Sequence, residues 1–238
     1  MRPWRLTGLL AAAAAAAATL APPADAGKPP AVKPVQELVT LLKSHTVISA
    51  PRARPSKVGR VRATRPLTGG QTILPVVGHL TTADGLRWLR VLVPGRPNGM
   101  KGWISRRATT LTTTSWRLVV KTSRRRVLVY RRGRLVRRFA AIVGAPSTPT
   151  PHGRFFVEES VRMLPGAAGG PFALALSARS NVLQEFEGGP GQIAMHGVAN
   201  LGGTLGTAAS HGCVRLANRA ISWLAWRIAP GTPIVLKP

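Results

Sequence analysis

Apolar and polar residues alternate in short runs along most of the chain, and this pattern predicts a mostly β protein. The first group of runs occupies residues 58–63, 72–80, 86–93 and 102–104. A second group occupies residues 116–120, 127–130, 135–143, 155–157, 172–177, 192–195 and 234–236. Asp84-Gly85 and Asn98-Gly99 are hairpin turn signals, so neighbouring runs of the first group should pair with each other.

Two segments show helical spacing instead of alternation. Residues 35–45 and residues 218–228 each place four apolar side chains on one helical face. These side chains are Val35, Leu38, Val39 and Leu42 in the first segment, and Ile221, Leu224, Ala225 and Ile228 in the second. We therefore predict a short helix in each segment, the second one capped by Asn218.

The first 26 residues have the pattern of a secretory signal peptide. Arg2 and Arg5 give a positive start, residues 6–21 are apolar, and Ala24-Asp25-Ala26 supplies the small residues of a cleavage site. The apolar run is shorter than the roughly 20 residues needed to span a bilayer. We therefore expect a secreted, extracytoplasmic protein without a stable membrane anchor.

The stretch from residue 193 to residue 216 concentrates the reactive residue types. It holds the only cysteine of the sequence, Cys213, and two of the five histidines, His196 and His211. A thiol attacks as its thiolate, and a neighbouring imidazole is the usual activator. Gly212 allows a tight turn before the cysteine, and backbone N–H groups in such a turn can stabilise an oxyanion. The stretch therefore predicts acyl transfer with Cys213 as the nucleophile.

Other interpretations of these residues stay open at this level. A lone cysteine is often a small buried hydrophobe, although the polar neighbours of Cys213 are poor core material. His196, His211 and Cys213 could bind zinc together with His152 or water, but the paired cysteine spacings of structural zinc sites are absent from the sequence. Ser210 can either brace the turn through side-chain hydrogen bonds or touch a substrate.

The pattern around the cysteine resembles a known family signature. His196-Gly197 is followed by thirteen residues ending in Ser210, and then by His211-Gly212-Cys213-Val214-Arg215. This is similar to the signature of the YkuD-type L,D-transpeptidases of bacterial cell walls, and Thr148-Pro149-Thr150-Pro151 resembles a loop of the same family. The resemblance implies a catalytic β-sandwich at residues 115–238 with one helix after the cysteine. It also implies peptidoglycan stem peptides as substrates and a mechanism without a metal or organic cofactor.

The family's chemistry implies a role for each motif residue. Cys213 would attack the carbonyl after the third residue, a diamino acid, of a stem tetrapeptide. The terminal D-alanine would leave, and a side-chain amine of another stem would take the acyl group. His196 would be the general base and acid, with its tautomer fixed by the carbonyl of Gly197. His211, Gly212 and Cys213 would supply the backbone amides of an oxyanion hole.

Ser210 and Arg215 are the residues expected to bind substrate. Arg215 stands where many family members have asparagine, and its guanidinium suits bidentate recognition of a carboxylate. The resemblance therefore implies that Arg215 holds either the active-site geometry or a substrate carboxylate.

The segment ahead of the catalytic region resembles a second kind of domain. Trp88-Leu89-Arg90-Val91, the turn at residues 94–99 and Gly102-Trp103-Ile104 are similar to bacterial SH3-like domains that precede YkuD domains. This resemblance implies a small β-barrel at residues 46–112, after a linker and short helix at residues 27–45. Such a domain would bind wall peptides or orient the catalytic domain.

The chain is strongly basic, with 34 Lys and Arg against 7 Asp and Glu and a formal net charge of +27. No nucleic-acid-binding motif is present and aromatic residues are only 5%, so we expect no nucleic-acid partner. Anionic cell-wall polymers would be attracted by the same long-range charge.

Two other functions fit the same motif. An L,D-carboxypeptidase of this fold would give the acyl group to water instead of an amine. A non-catalytic wall-binding protein would keep the fold without the chemistry, although the intact His196, His211 and Cys213 argue against it.

Overall fold

Two β-sheets and one α-helix make up the part of the chain that this computed structural model describes, which is residues 1, 32–52, 54–185 and 188–238. The mostly β fold predicted from the sequence is confirmed. The predicted signal peptide after Met1 and the first residues of the predicted linker lie outside the described residues. Within the described part, no helix combines the length and the apolar character needed to cross a membrane.

The first sheet contains seven strands from the N-terminal half of the chain. They are β1 (Gln36–Leu41), β2 (His45–Ile48), β3 (Lys57–Val61), β4 (Ile73–Thr81), β5 (Arg87–Leu92), β6 (Lys101–Ser105) and β7 (Thr109–Thr114). Their order is β3-β2-β6-β5-β4-β1-β7, and every pairing is antiparallel. Strands β3 to β6 match the predicted runs, whereas β2 and β7 lie outside them. The SH3-like identity of this sheet stays a prediction.

The helix predicted at residues 35–45 is wrong, because Gln36–Leu41 form strand β1 between β4 and β7. Leu38, Val39 and Leu41 are all buried, so both faces of the strand are covered. A short apolar run of this kind cannot be told from a buried helix by periodicity alone. The first sheet therefore begins ahead of the predicted domain start at residue 46.

The second sheet contains nine strands from the C-terminal half of the chain. They are β8 (Trp116–Lys121), β9 (Arg126–Arg131), β10 (Arg134–Gly144), β11 (Gly153–Arg162), β12 (Phe172–Arg179), β13 (Gln192–His196), β14 (Ala208–Ser210), β15 (Val214–Leu216) and β16 (Pro233–Lys237). Their order is β14-β10-β15-β13-β12-β11-β16-β8-β9, and β9 also pairs with β10. That pairing closes the sheet on itself, so the layers of the predicted sandwich belong to one continuous sheet.

The helix after the cysteine, α1 (Asn218–Ala225), is present but differs from its prediction at both ends. Ala217 occupies the N-cap position without a side-chain cap bond, and Asn218 is the first helical residue. The helix ends at Ala225, although Ile228 is still buried in the core of the second sheet. The side chain of Asn218 bonds to another segment, described below, instead of capping the helix.

Strand β11 contributes to both hydrophobic cores. Phe155 packs in the core of the second sheet, whereas Phe156 packs with the core of the first sheet. Successive side chains of a strand point to opposite faces, so one strand can serve both clusters. One face of β11 therefore packs in the core of the second sheet, and the other face packs in the core of the first.

Buried charged groups also join the sheets beside β11. The fully buried side chain of Glu158 forms ion pairs with Arg65, from the connection between β3 and β4, and with Arg179 at the end of β12. Burial, together with the positive charge of Arg96, lowers the pKa of Arg179 to about 10. The carboxylate of Glu159 accepts hydrogen bonds from the backbone N–H and the hydroxyl of Thr68, both at 2.8 Å.

The turn between β5 and β6 holds the segment that leads into β13. Arg96 donates hydrogen bonds to the carbonyls of Ser180 and Pro190, each at 2.8 Å. Asn98 donates to the carbonyl of Arg179 at 2.7 Å and accepts its N–H at 2.8 Å. The first sheet thus fixes the approach to the strand that carries His196.

Candidate active site

Two parallel strands bring His196 and Cys213 to one face of the second sheet. Strand β13 ends at His196 and pairs with β15, which begins directly after Cys213, so that Met195 lies opposite Val214. Met195 and Val214 are fully buried, and their neighbours along each strand therefore point to the outer face. His196 and Cys213 therefore lie on the same face, on either side of the Met195–Val214 pair.

Cys213 is partly exposed, unlike a cysteine sealed in the core. Its Sγ accepts a hydrogen bond from the backbone N–H of Ala194 on β13, at 3.4 Å. The interpretation of Cys213 as a small buried hydrophobe therefore does not fit its surroundings.

The imidazole of His196 is held from two sides. Its Nδ1 lies 2.8 Å from the carbonyl oxygen of Gly197, the contact that the family resemblance implied. The backbone of Gly169 passes over the ring so closely that a Cβ built there would lie 2.6 Å from Nδ1. Gly197 in turn donates its N–H to the carbonyl of Gly169 at 2.7 Å. Since Nδ1 faces a carbonyl and must carry the proton, Nε2 is left as the basic nitrogen.

The turn before the cysteine is braced from inside. Ser210 is 1% exposed, and its hydroxyl donates to the carbonyl of Cys213 at 2.6 Å. The same hydroxyl accepts the N–H of Gly212 at 3.2 Å. Gly212 has φ +112°, a conformation that other residues rarely adopt. The geometry favours the turn-bracing interpretation of Ser210 over direct substrate contact.

A second brace comes from the proline-rich loop between β10 and β11. Thr148 donates its hydroxyl to the carbonyl of Ser210 at 3.1 Å, and Thr150 donates to the carbonyl of Gly212 at 2.8 Å. The hydroxyl of Thr150 also accepts the N–H of Gly144 at 2.9 Å. The family resemblance of this loop does not by itself indicate these contacts, but the period-2 spacing of its threonines is the signal that both face one neighbour.

The C-terminal half of the chain matches a known family model. Residues 115–236 match YkuD, the L,D-transpeptidase catalytic domain. The chain belongs to this family. It is thus an L,D-transpeptidase, as the motif predicted.

Individual relatives extend the comparison. The putative L,D-transpeptidase YkuD of Bacillus licheniformis is 30% identical over 126 residues, which cover 53% of this chain and 68% of the relative. A solved L,D-transpeptidase from Mycobacterium smegmatis is 17% identical with a TM-score of 0.40, covering 69% of this chain and 99% of that chain. L,D-transpeptidase 3 from Mycobacterium tuberculosis, solved with a faropenem-derived adduct, is 14% identical with a TM-score of 0.45, covering 84% of this chain and 97% of that chain.

Arg215 of this L,D-transpeptidase supports the loop between the two halves of the motif. Its Nη1 donates a hydrogen bond to the carbonyl of Gly202 at 2.9 Å, and the side chain is partly buried. This contact favours a role in active-site geometry, while recognition of a substrate carboxylate stays a prediction. His211 is exposed in the bend before Gly212, and its expected amide contribution to an oxyanion hole likewise stays a prediction.

Asn218, which the sequence pattern predicts as a helix cap, contacts the segment that follows the first half of the motif. Its Oδ1 accepts the N–H of Val198 at 3.0 Å and so fixes the backbone directly after Gly197.

His152, the possible fourth zinc ligand, has its Nε2 2.9 Å from the hydroxyl of Thr122. In the described ranges, no group of three or more His, Cys, Asp or Glu side chains could hold a metal ion.

A cavity of about 500 Å³ lies beside the segment that covers His196. Its wall includes Gly170, the segment at residues 163–167 and the aromatic side chains of Phe172 and Trp226. Trp226 is 77% exposed, and its ring centroid is 6.1 Å from that of Phe172. A partly apolar groove thus lies beside the segment that covers the imidazole of His196.

Proposed function

We propose that this L,D-transpeptidase cross-links peptidoglycan through an acyl-enzyme on Cys213. The donor is a stem tetrapeptide, cut at the carbonyl after its third-position diamino acid. The acceptor is a side-chain amine of a second stem. The observation that carries the proposal is the parallel register of β13 and β15, which puts His196 and the partly exposed Cys213 on one face.

The first half of the reaction follows from the tautomer of His196. With Nδ1–H donated to the Gly197 carbonyl, Nε2 accepts the proton of the Cys213 thiol. The thiolate attacks the donor carbonyl, and backbone N–H groups of the turn stabilise the resulting oxyanion. When the tetrahedral intermediate collapses, the imidazolium returns its proton to the leaving D-alanine nitrogen. The donor is then bound to Sγ as a thioester.

The second half reverses these proton transfers. The acceptor amine attacks the thioester carbonyl, and its proton passes to Nε2 of His196. Collapse of the second intermediate breaks the C–S bond, and the imidazolium protonates the departing thiolate. An amide bond then joins the two stems, and Cys213 is again a thiol.

The braces around the turn support this role for the oxyanion-stabilising amides. Thr150 and Ser210 use buried hydroxyls to fix the carbonyls of Gly212 and Cys213, so the peptide planes before and after the cysteine hold their directions. Donors that are already oriented stabilise a developing charge without reorganising during the reaction. The hydrogen bond from Thr150 joins residues 62 positions apart in the chain.

The decisive test uses a stem tetrapeptide with a meso-diaminopimelate third residue and intact-protein mass spectrometry. We expect wild type to gain the tripeptide acyl mass and release D-alanine, whereas Cys213→Ser and Cys213→Ala gain none. Equal unfolding temperatures of wild type and Cys213→Ser would show that the loss is chemical. Cross-linking by Cys213→Ala at the wild-type rate would overturn the proposal.

Product analysis separates the proposed reaction from its alternatives. With a second stem present, a transpeptidase yields a cross-linked dimer, an L,D-carboxypeptidase yields only the tripeptide, and a wall-binding protein leaves the tetrapeptide unchanged. A dimer supports the proposal, and either of the other products contradicts it.

We further propose that the enzyme is exported and works in association with the cell wall. The positive start, apolar run and Ala24-Asp25-Ala26 site support this proposal. Sequencing the N-terminus of the secreted protein should give a chain that starts at Gly27. An enzyme recovered only inside the cell with residues 1–26 attached would contradict export.

A further inference from the structure

A basic cavity of about 480 Å³ lies between the first sheet and the outer face of the second, away from the motif of Cys213. Its wall includes four Lys and Arg residues: Lys33, Lys101, Arg117 and Arg154. The first sheet completes the wall with apolar side chains such as Val76 and Leu92. The cavity therefore combines a concave shape with a concentration of positive charge.

The fold places the two guanidinium groups on either side of one strand. Arg117 lies on β8 and Arg154 on β11, and β16 pairs with both strands. Their neighbours Leu118 and Phe155 are buried in the core, so the arginine side chains point to the opposite face, toward the first sheet. Both arginines line the cavity.

The positive charge in the cavity is not balanced by protein carboxylates. Among the described residues of the cavity wall, Glu37 supplies one carboxylate against the four Lys and Arg side chains. Its Oε2 already lies 2.6 Å from Nε2 of His79. Nε of Arg117 is buried and has no hydrogen-bond partner among the described residues. Burial and the neighbouring charge of Arg154 both lower the pKa of Arg117. A buried donor without an acceptor is costly, and an anion in the cavity would supply that acceptor.

We propose that this cavity is a binding site for a phosphate-bearing anion. Guanidinium groups pair bidentately with phosphate, and lysine ammonium groups bind its remaining oxygens as point charges. Phosphate offers more oxygens than a carboxylate to cations that converge from several strands. The site takes either free phosphate or a phosphate group of a larger chain, and the cavity volume leaves room for atoms beyond one phosphate.

The test measures binding to the signal-less chain from Gly27 by calorimetry at constant 150 mM salt, because salt screens nonspecific attraction. The probes are inorganic phosphate and a synthetic glycerol-phosphate oligomer. We expect Arg117→Gln/Arg154→Gln to bind the tighter probe at least tenfold more weakly than wild type. Preference for the oligomer would assign the site to a polymer, and equal binding per phosphate would assign it to free phosphate.

A matched variant removes the same charge elsewhere. Arg60 and Arg107 are exposed and lie outside the cavity wall, so Arg60→Gln/Arg107→Gln should keep the affinity within about twofold of wild type. Equal losses in both double variants would show general attraction to a basic protein and overturn the site. The single variant Arg154→Gln changes an exposed side chain and should still weaken binding, which covers the case in which the cavity double variant fails to fold.

Two more measurements keep the site separate from the acyl-transfer chemistry. Cys213→Ala should bind the phosphate probes as wild type does, so failure of the catalytic proposal leaves this one intact. Citrate at equal ionic strength tests the ligand class. Tighter binding of citrate than of both phosphate probes, with the same dependence on Arg117 and Arg154, would overturn the assignment to phosphate.

Discussion

The hydroxyl of Thr150 donates a hydrogen bond to the carbonyl oxygen of Gly212 at 2.8 Å and accepts one from the N–H of Gly144 at 2.9 Å. One side chain therefore joins the end of β10 to the turn that presents Cys213. Thr150 and Gly212 are buried, so water has no access to replace the bond between them if the hydroxyl is lost. The stability of the nucleophile's turn depends on a residue outside the cysteine motif.

Replacing this hydroxyl should loosen the turn. Thr150→Val keeps the shape of the side chain but leaves the buried carbonyl of Gly212 and the half-buried N–H of Gly144 without this partner, and the buried group alone costs about 1–3 kcal/mol. We expect a lower unfolding free energy and acyl-enzyme formation at least tenfold slower than wild type. Thr113→Val, on an exposed position of β7, is the control and should change neither value. Wild-type acylation by Thr150→Val would show that the turn holds its shape without this brace.

A pair of glycines separates backbone strain from contact with the imidazole. Gly169 has φ +81° and Gly166 has φ +80°, so an alanine at either position costs about the same, roughly 1–2 kcal/mol. A Cβ at Gly169 would lie 2.6 Å from Nδ1 of His196, whereas a Cβ at Gly166 would meet nothing within 4 Å. We expect Gly169→Ala to reduce the acylation rate at least tenfold and Gly166→Ala to reduce it little. Equal acylation rates for the two variants would mean that a displaced His196 ring does not slow the reaction.

The buried charges beside β11 should be sensitive to loss of one partner. Glu158→Gln removes the negative charge that Arg65 and Arg179 share inside the protein. Leaving cations buried without their partner costs about 3–5 kcal/mol. Urea unfolding should therefore show a large loss for Glu158→Gln and almost none for Glu185→Gln, which alters an exposed carboxylate. Similar midpoints for both variants would contradict a stabilising role of the buried pairs.

His45 should make stability depend on pH. Burial lowers the pKa of His45 below its usual 6.5, an effect only partly offset by the Ala108 carbonyl. The folded state then binds fewer protons than the unfolded state. The stability that neutral His45 contributes is therefore complete above pH 6.5 and is lost as the pH falls below it. We expect the unfolding temperature to fall between pH 7 and pH 5, and to fall less in His45→Gln. An equal fall in unfolding temperature in wild type and His45→Gln would show that other groups cause the pH dependence.

The residues that could be predicted from the sequence are those whose roles depend on local spacing. His196-Gly197 and Ser210-His211-Gly212-Cys213 stand within short segments, and the strands on either side alternate clearly. The contact of Nδ1 of His196 with the Gly197 carbonyl follows from adjacent residues in the same way.

The features that could not be predicted depend on distant parts of the chain. Thr150 contacts Gly212 and Thr68 contacts Glu159 across 62 and 91 residues, and the sequence does not indicate which distant residue each threonine meets. Strand β1 was missed for a related reason, because its apolar residues reflect burial on both faces. Asn218 has the residue type of a helix cap, but it is the first residue of the helix, and its side chain bonds to the distant Val198 instead.

The arrangement of Phe155 and Phe156 on β11 ties the catalytic half to the core of the preceding sheet. A chain truncated to start at residue 115 would keep the whole cysteine motif, yet it would expose Phe156 to water and strip Glu158 and Glu159 of Arg65 and Thr68. Such a fragment would expose an apolar side chain and carboxylates without these partners along β11. Grafting this catalytic half onto another protein therefore requires carrying the preceding sheet with it.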